Sequence, residues 1–181
     1  MLEPLPGMPA EPTGGGRMVT GLVLGAAAMT TGLVAGVFVL YAHTIMPGLG
    51  RTDDRTFVGA FQAVDRAIIN PWFMSCFFGA LVLTGVSATL HLRADGHGGL
   101  PWIAVAFLLY LVVVVITLAV NVPLNDAIKG AGDPDRIADL AQVRRDFGEA
   151  RWRAWNLVRV VLSSTAFGCL LVALVMYGRR R

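Results

Sequence analysis

The sequence predicts an all-α integral membrane protein: a bundle of four membrane-crossing helices with additional amphipathic helices on one face. Composition is the first reason. Of the 181 residues, 55% are hydrophobic and only 15% charged, and the mean hydropathy of +0.64 exceeds that of an ordinary soluble domain. Charge placement is the second. Residues 18–42, 72–90, 101–120 and 160–177 contain no Asp, Glu, Lys or Arg, and each run approximates the ~20 residues a helix needs to cross the hydrocarbon core. A net charge of +3 is too small to suggest nucleic acid, so the expected partner is the lipid bilayer.

Residues 1–17, with Pro4, Pro6, Pro9, Pro12 and a Gly run at 14–16, read as a disordered leader. Residues 18–181 read as a single domain with spans at about 18–42, 72–91, 101–122 and 156–177. The first span is longer than a signal-peptide core, and three more follow it. Cys76 and Cys169 both lie in apolar runs, which suits small core residues better than a disulfide or zinc site.

Four spans put both termini on one face of the membrane. That face carries the short turn 93–100, and the other carries two long segments, 43–71 and 121–156. Arg17 and the tail 179–181 favour cytoplasmic termini in the cell membrane, although the far segments hold more basic residues. In the first far segment Pro47 and Gly48 are expected to end the first span, and Thr52 or Asp53 to cap a new helix. Phe57, Phe61, Val64 and Ile68 then recur at helical spacing, with Gln62, Asp65, Arg66 and Ile69 as an adjoining stripe. Pro71 begins the second span. In the second far segment Pro123 is expected to end or kink the third span, between Asn121 and Asn125. Asp133 and Pro134 are expected to start one long helix that becomes the fourth span, with Gly148 as its one weak point.

That last helix places Trp152, Trp155, Asn156, Arg159 and Ser163 at i, i+3, i+4, i+7 and i+11, on one face. An arginine near the bilayer centre costs ~2.5–3.5 kcal/mol and usually faces the bundle interior or a wet cavity. Interfacial anchoring by Trp and a snorkelling Arg is the competing reading. His43 ends the first span on the same face, where Asn121, Asn125 and Arg159 arrive from other spans, and this convergence favours a polar pocket. His91 and His97 belong to the opposite face. Neither a metal-ligand motif nor a nucleotide-binding glycine loop is present, so no metal and no cofactor are expected.

The segments "YAHTIMPGL", "FVGAFQAVDRAIINPWF", "NVPLNDAIK" and "RWRAWNLVR", taken in order, resemble the anthrone oxygenase-like family of small four-span membrane proteins. The resemblance runs from His43 to about Ser164. It implies a compact helical bundle and, by analogy with fungal members linked to oxygenation of polyketide anthrones, a membrane oxygenase for a hydrophobic phenolic or polyketide-like aromatic. Most bacterial members have no assigned substrate. An anthrone has an acidic methylene, and its enolate reacts with dioxygen, the expected co-substrate. Such chemistry asks for a base, donors for the enolate oxygen and a flat apolar slot. His43 is the expected base, and Arg159, with Asn121 or Asn125, the expected oxyanion site. Trp72, Trp152 and Trp155 are expected to line the slot, with Asn156, Gln62 and Asp65 as further substrate contacts. Two other classes stay open. One is a non-enzymatic assembly subunit, homo-oligomeric or docking a membrane protein through the charge-rich stretch 133–153. The other is a small-molecule-binding membrane protein using the same pocket.

Overall fold

The computed structural model describes residues 14–93 and 97–179. Most of the expected leader, residues 1–13, and the end of the basic tail, residues 180–181, lie outside the described residues. Helix α1 (Gly14–Leu40) already includes positions 14–17, so the leader expectation is too long at its end. It passes through a π-helical turn (Tyr41–Ile45) into α2 (Met46–Leu49). Helix α3 (Asp54–Ile68) leads to α4 (Pro71–Arg93), and α5 (Leu100–Ile116) runs through a second π turn (Thr117–Asn121) into α6 (Val122–Gly130). Helices α7 (Leu140–Phe147) and α8 (Glu149–Gly178) complete the chain. Among the described residues, four helical segments are long and apolar enough to cross a membrane: Gly15–Leu49, Pro71–Leu92, Leu100–Gly130 and Leu140–Gly178. The protein is therefore an all-helical, four-span membrane protein.

The π turns correct the expectation that Pro47 and Gly48 end the first span, and at Pro123, where an end or a kink is expected, they let the helix continue. A proline lacks an N–H and its ring crowds the carbonyl four residues earlier. Widening the preceding turn relieves that clash and lets the helix continue. Both π turns sit just before a proline near the far end of a span.

Asp53 caps α3 as expected, its carboxylate accepting from the Thr56 N–H at 3.0 Å. Pro134 does not start the expected helix. Asp133 instead accepts from the Asp135 N–H in a tight turn, and the helix begins later, with Asp139 capping α7 through the Gln142 N–H. Nor is there one long helix. Gly148 adopts the left-handed conformation (φ 64°) and divides α7 from α8, a geometry for which only glycine is free of Cβ strain.

Two cores follow from the two solvents. Between the spans, α1, α4, α5 and α8 pack through small residues: Ala27, Ala80, Ala106, Ala166 and Ala173 are completely buried. Lipid gives no hydrophobic drive for helix association, so close backbone approach supplies the attraction. Gly32 shows how close this is, since a Cβ there would lie 2.9 Å from the Phe167 ring. Leu22, Met29, Val82, Leu108 and Val161 point outward as a lipid-facing surface. Over the far end sits a second core of large side chains, including Phe57, Phe61, Phe147 and Trp152. Phe61 packs at a tilt against Phe147, ring centroids 4.6 Å apart, and meets Trp152 edge-on at 5.8 Å. Here helices meet water, and burying aromatic area stabilises them in the ordinary way.

The buried face of α3 is rotated from the expected one. It consists of Phe57, Val58, Phe61, Gln62 and Asp65, whereas Val64 is 37% exposed. Two polar side chains thus lie inward, toward the bundle.

Candidate functional site

Beneath the aromatic cap, a cavity of about 280 Å³ opens among α1, α3, α4, the second π turn, α6 and α8. Its volume is at the lower edge of the ~300–1,000 Å³ typical of small-molecule sites. One wall is apolar, built by Phe73, Met74, Phe77 and Phe78 of α4 and by Ile68 of α3. The Tyr110 hydroxyl, donating to the Phe77 carbonyl at 3.0 Å, ties α5 to α4 within the buried core.

Arg159 supplies the cation. It is 4% exposed and lines the cavity. The expectation that it avoids lipid agrees with this burial. Its Nη1 donates to Thr117 Oγ1 at 3.3 Å and its Nη2 to Asn156 Oδ1 at 2.9 Å. The guanidinium lies 4.4 Å over the Phe38 ring and 5.5 Å from that of Trp152. Among the described residues no carboxylate pairs with it, and its buried Nε has no hydrogen-bond partner. A buried cation held only by neutral groups is ready for an anionic or electron-rich oxygen.

A second polar group closes the aqueous edge. Asp65, 6% exposed, accepts from Asn125 Nδ2 at 2.6 Å and pairs with Lys129 Nζ at 2.8 Å. Lys129 also reaches Asp126 at 3.0 Å. The Trp152 indole N–H donates to Asn125 Oδ1 at 2.7 Å. That bond fixes the amide so that its NH₂ faces Asp65, which must then be an acceptor. Lys129 and Thr117 escaped the sequence reading. Asp126–Lys129 at i, i+3 before a turn was the available signal for the lysine, whereas nothing local marked Thr117.

The expected residues therefore divide. Arg159, Asn125, Trp152 and Asp65 meet at the cavity. Asn156 and Gln62 are buried beside it in supporting positions. Asn156 Nδ2 donates to the Phe38 carbonyl at 3.1 Å while its oxygen orients Arg159, and Gln62 Nε2 donates to the carbonyls of Ile128 and Gly132, fastening α3 to α6. Asn121 is buried against the Trp152 carbonyl, at 3.5 Å, rather than on the cavity wall.

His43, Trp72 and Trp155 are not brought to the cavity. Phe38 and Tyr41 line it, and at ~100° per residue His43 lies on nearly the opposite side of that helix. It is exposed and contacts Thr44 Oγ1 through Nδ1. Trp72, 77% exposed, is turned away from the α4 stripe that includes Phe73 and Phe77. Trp155 sits at the edge of the Trp152–Asn156–Arg159–Ser163 stripe and is 38% exposed. Among the described residues no three His, Cys, Asp or Glu side chains converge as a metal-ligand group would.

Fold and site together define a four-span membrane protein with a largely apolar cavity, one unneutralised cation in its wall and an ion-paired carboxylate at its edge. The anthrone oxygenase family model matches residues 73–169, and the chain belongs to that family. The match contains the Asn125 and Trp152–Arg159 segments but begins after His43 and Asp65. No curated protein and no solved structure matches the chain.

Proposed function

We propose that this protein is a membrane oxygenase that binds a flat, enolisable, hydrophobic phenolic or polyketide-like aromatic in the cavity and oxidises it with dioxygen. The observation that carries the reading is Arg159, a cation in an apolar wall with an unpartnered Nε and no carboxylate beside it. In this reading the ring system lies against Phe73, Phe77 and Trp152, with its carbonyl oxygen at Arg159. Hydrogen bonding to the developing enolate oxygen acidifies the adjacent methylene. Asp65, which accepts from Asn125 and pairs with Lys129, takes the methylene proton in the role expected of His43.

The remaining steps balance without a further reactant. The enolate gives an electron to dioxygen, and the resulting radicals join through a new C–O bond to form a peroxide, which takes up the proton. Loss of the second methylene proton with cleavage of the O–O bond leaves a carbonyl and water. The sum is CH₂ + O₂ → C=O + H₂O.

Family membership and the site's chemistry support this reading over the assembly-subunit alternative. The charged stretch that suggested docking spends much of its charge internally: Arg144 pairs with Asp54 and Glu149, Arg55 pairs with Asp135, and Arg145 lies near Asp139. The test is oxygen uptake and product mass with purified protein in nanodiscs and a panel of hydroxylated anthrones. Asp65→Asn should lower turnover by ~10²–10⁴, the usual worth of a general base, and His43→Ala should leave it unchanged. Turnover lost in His43→Ala but kept in Asp65→Asn would refute the assignment. Binding of the aromatics with no oxygen uptake would make the protein a carrier.

A further inference from the structure

The cavity has two edges of different chemistry, and its ligand can pass only one of them without breaking strong contacts. At the aqueous edge Lys129 bridges Asp65 and Asp126, at 2.8 and 3.0 Å. The opposite rim is apolar. Ile69, Phe78 and Leu118 line the cavity and are also 59%, 43% and 53% exposed. A side chain that both lines a cavity and faces outward marks the opening between them. Phe78 is seven residues into α4, about 10 Å from its start at 1.5 Å per residue. Leu118 lies in the π turn of the third span. Both positions belong to segments suited to lipid, so the opening between them faces acyl chains.

From this geometry we infer that the slot between Phe78 of α4 and Leu118 of the second π turn is a lateral portal, through which a membrane-dissolved phenolic aromatic passes from the bilayer to Arg159. The inference rests on the ligand class proposed above and adds its route. The rim can admit such a ligand because no hydrogen bond closes it. Below it, the Tyr110–Phe77 bond joins the two helices; at the rim the second π turn interrupts regular α5 geometry. An apolar ring system crossing there exchanges lipid contacts for Phe and Leu contacts, with no polar group to desolvate. Crossing the aqueous edge would require opening the Asp65–Lys129–Asp126 group. A ligand arriving from lipid would also lead with its apolar body along α4 and place its oxygen at Arg159, the cation in the wall that no carboxylate pairs with among the described residues.

The experiment is rapid-kinetic binding of a hydroxylated anthraquinone released photochemically from a caged form dissolved in the bilayer of proteoliposomes. The change in the ligand's own visible absorption as its oxygen meets Arg159 reports binding, so an introduced tryptophan adds nothing to the signal. Leu118→Trp should slow association and dissociation together by at least ~10-fold, the effect of about 1.4 kcal/mol of added barrier, with affinity nearly unchanged. Leu118→Ala should speed both, and Phe78→Trp checks the same slot from the other rim if Leu118→Trp does not fold. Val82→Trp, on the lipid-facing surface of α4 and away from the cavity lining, should leave both rates as they were. Rates that ignore positions 78 and 118 would overturn the portal while leaving the site itself standing. A parent protein that binds no aromatic would overturn the proposed function and the portal with it.

Discussion

Replacing Arg159 by Met should separate function from stability. Arg159 makes two hydrogen bonds, to Thr117 and Asn156, and one close stacking contact on Phe38. After substitution Thr117 Oγ1 still donates to the Val113 carbonyl at 2.8 Å, and Asn156 Nδ2 still donates to the Phe38 carbonyl. Only Asn156 Oδ1 is left without its partner, at a cost of ~1–3 kcal/mol for a buried acceptor. Losing the cation–ring contact adds up to ~2 kcal/mol. Against these stands the effective desolvation penalty of a buried ion, several kcal/mol. No carboxylate neutralises Arg159 in the native state, so its removal strands no opposite charge. Met has comparable reach and fills irregular space well. The opposing terms nearly cancel, leaving a net change within ~2 kcal/mol of zero. At roughly 2–4 °C per kcal/mol for a chain of this size, the unfolding midpoint in detergent or nanodiscs should move by less than about 8 °C. Turnover, by contrast, should fall ~10²–10³, as when an oxyanion donor is removed. Circular dichroism melts and oxygen uptake on the same preparations give both readings. A variant that fails to assemble would show that Arg159 holds the bundle together, and one that turns over normally would remove it from the site.

Two further outcomes follow from the far-face helices. The Asp53 carboxyl is held below the usual carboxylate range, chiefly by the Thr56 N–H and then by the Thr56 hydroxyl. Its contribution is therefore present above the unfolded value, about 3.9, and disappears as the pH falls through the lower folded value. Amide exchange at Thr56 should accelerate in acid in the parent protein but not in Asp53→Asn, and equal acid sensitivity in both would remove the cap from the explanation. Gly148→Ala must place a Cβ at φ 64°, which costs ~1–2 kcal/mol for an L-residue. Its unfolding midpoint should drop by a few degrees, and an unchanged midpoint would mean that the α7–α8 junction relaxes at no cost.

The four spans were legible because hydropathy and run length are local properties, and a chain in lipid must satisfy every backbone hydrogen bond within its own helix. Arg159 was legible for a related reason: a guanidinium that deep in an apolar run needs an interior position. Helix phase was harder to read. Gln62 and Asp65 face inward while Val64 faces out, because the α3 face is chosen by Phe147, Trp152 and Ile128 from distant parts of the chain. The helix direction at position 43 is likewise set by packing, which places Phe38 and Tyr41 at the cavity and His43 outside it. The pairing of Asp65 with Lys129 joins residues of separate far-face helices, and no local pattern announces it. Sequence by itself determined which segments enter the membrane and that a cation lies among them, since transfer free energy depends on the residues of each segment alone. The tertiary structure decided which polar groups share a cavity, since that depends on the rotation of each helix about its axis, and rotation is fixed only when neighbouring helices pack.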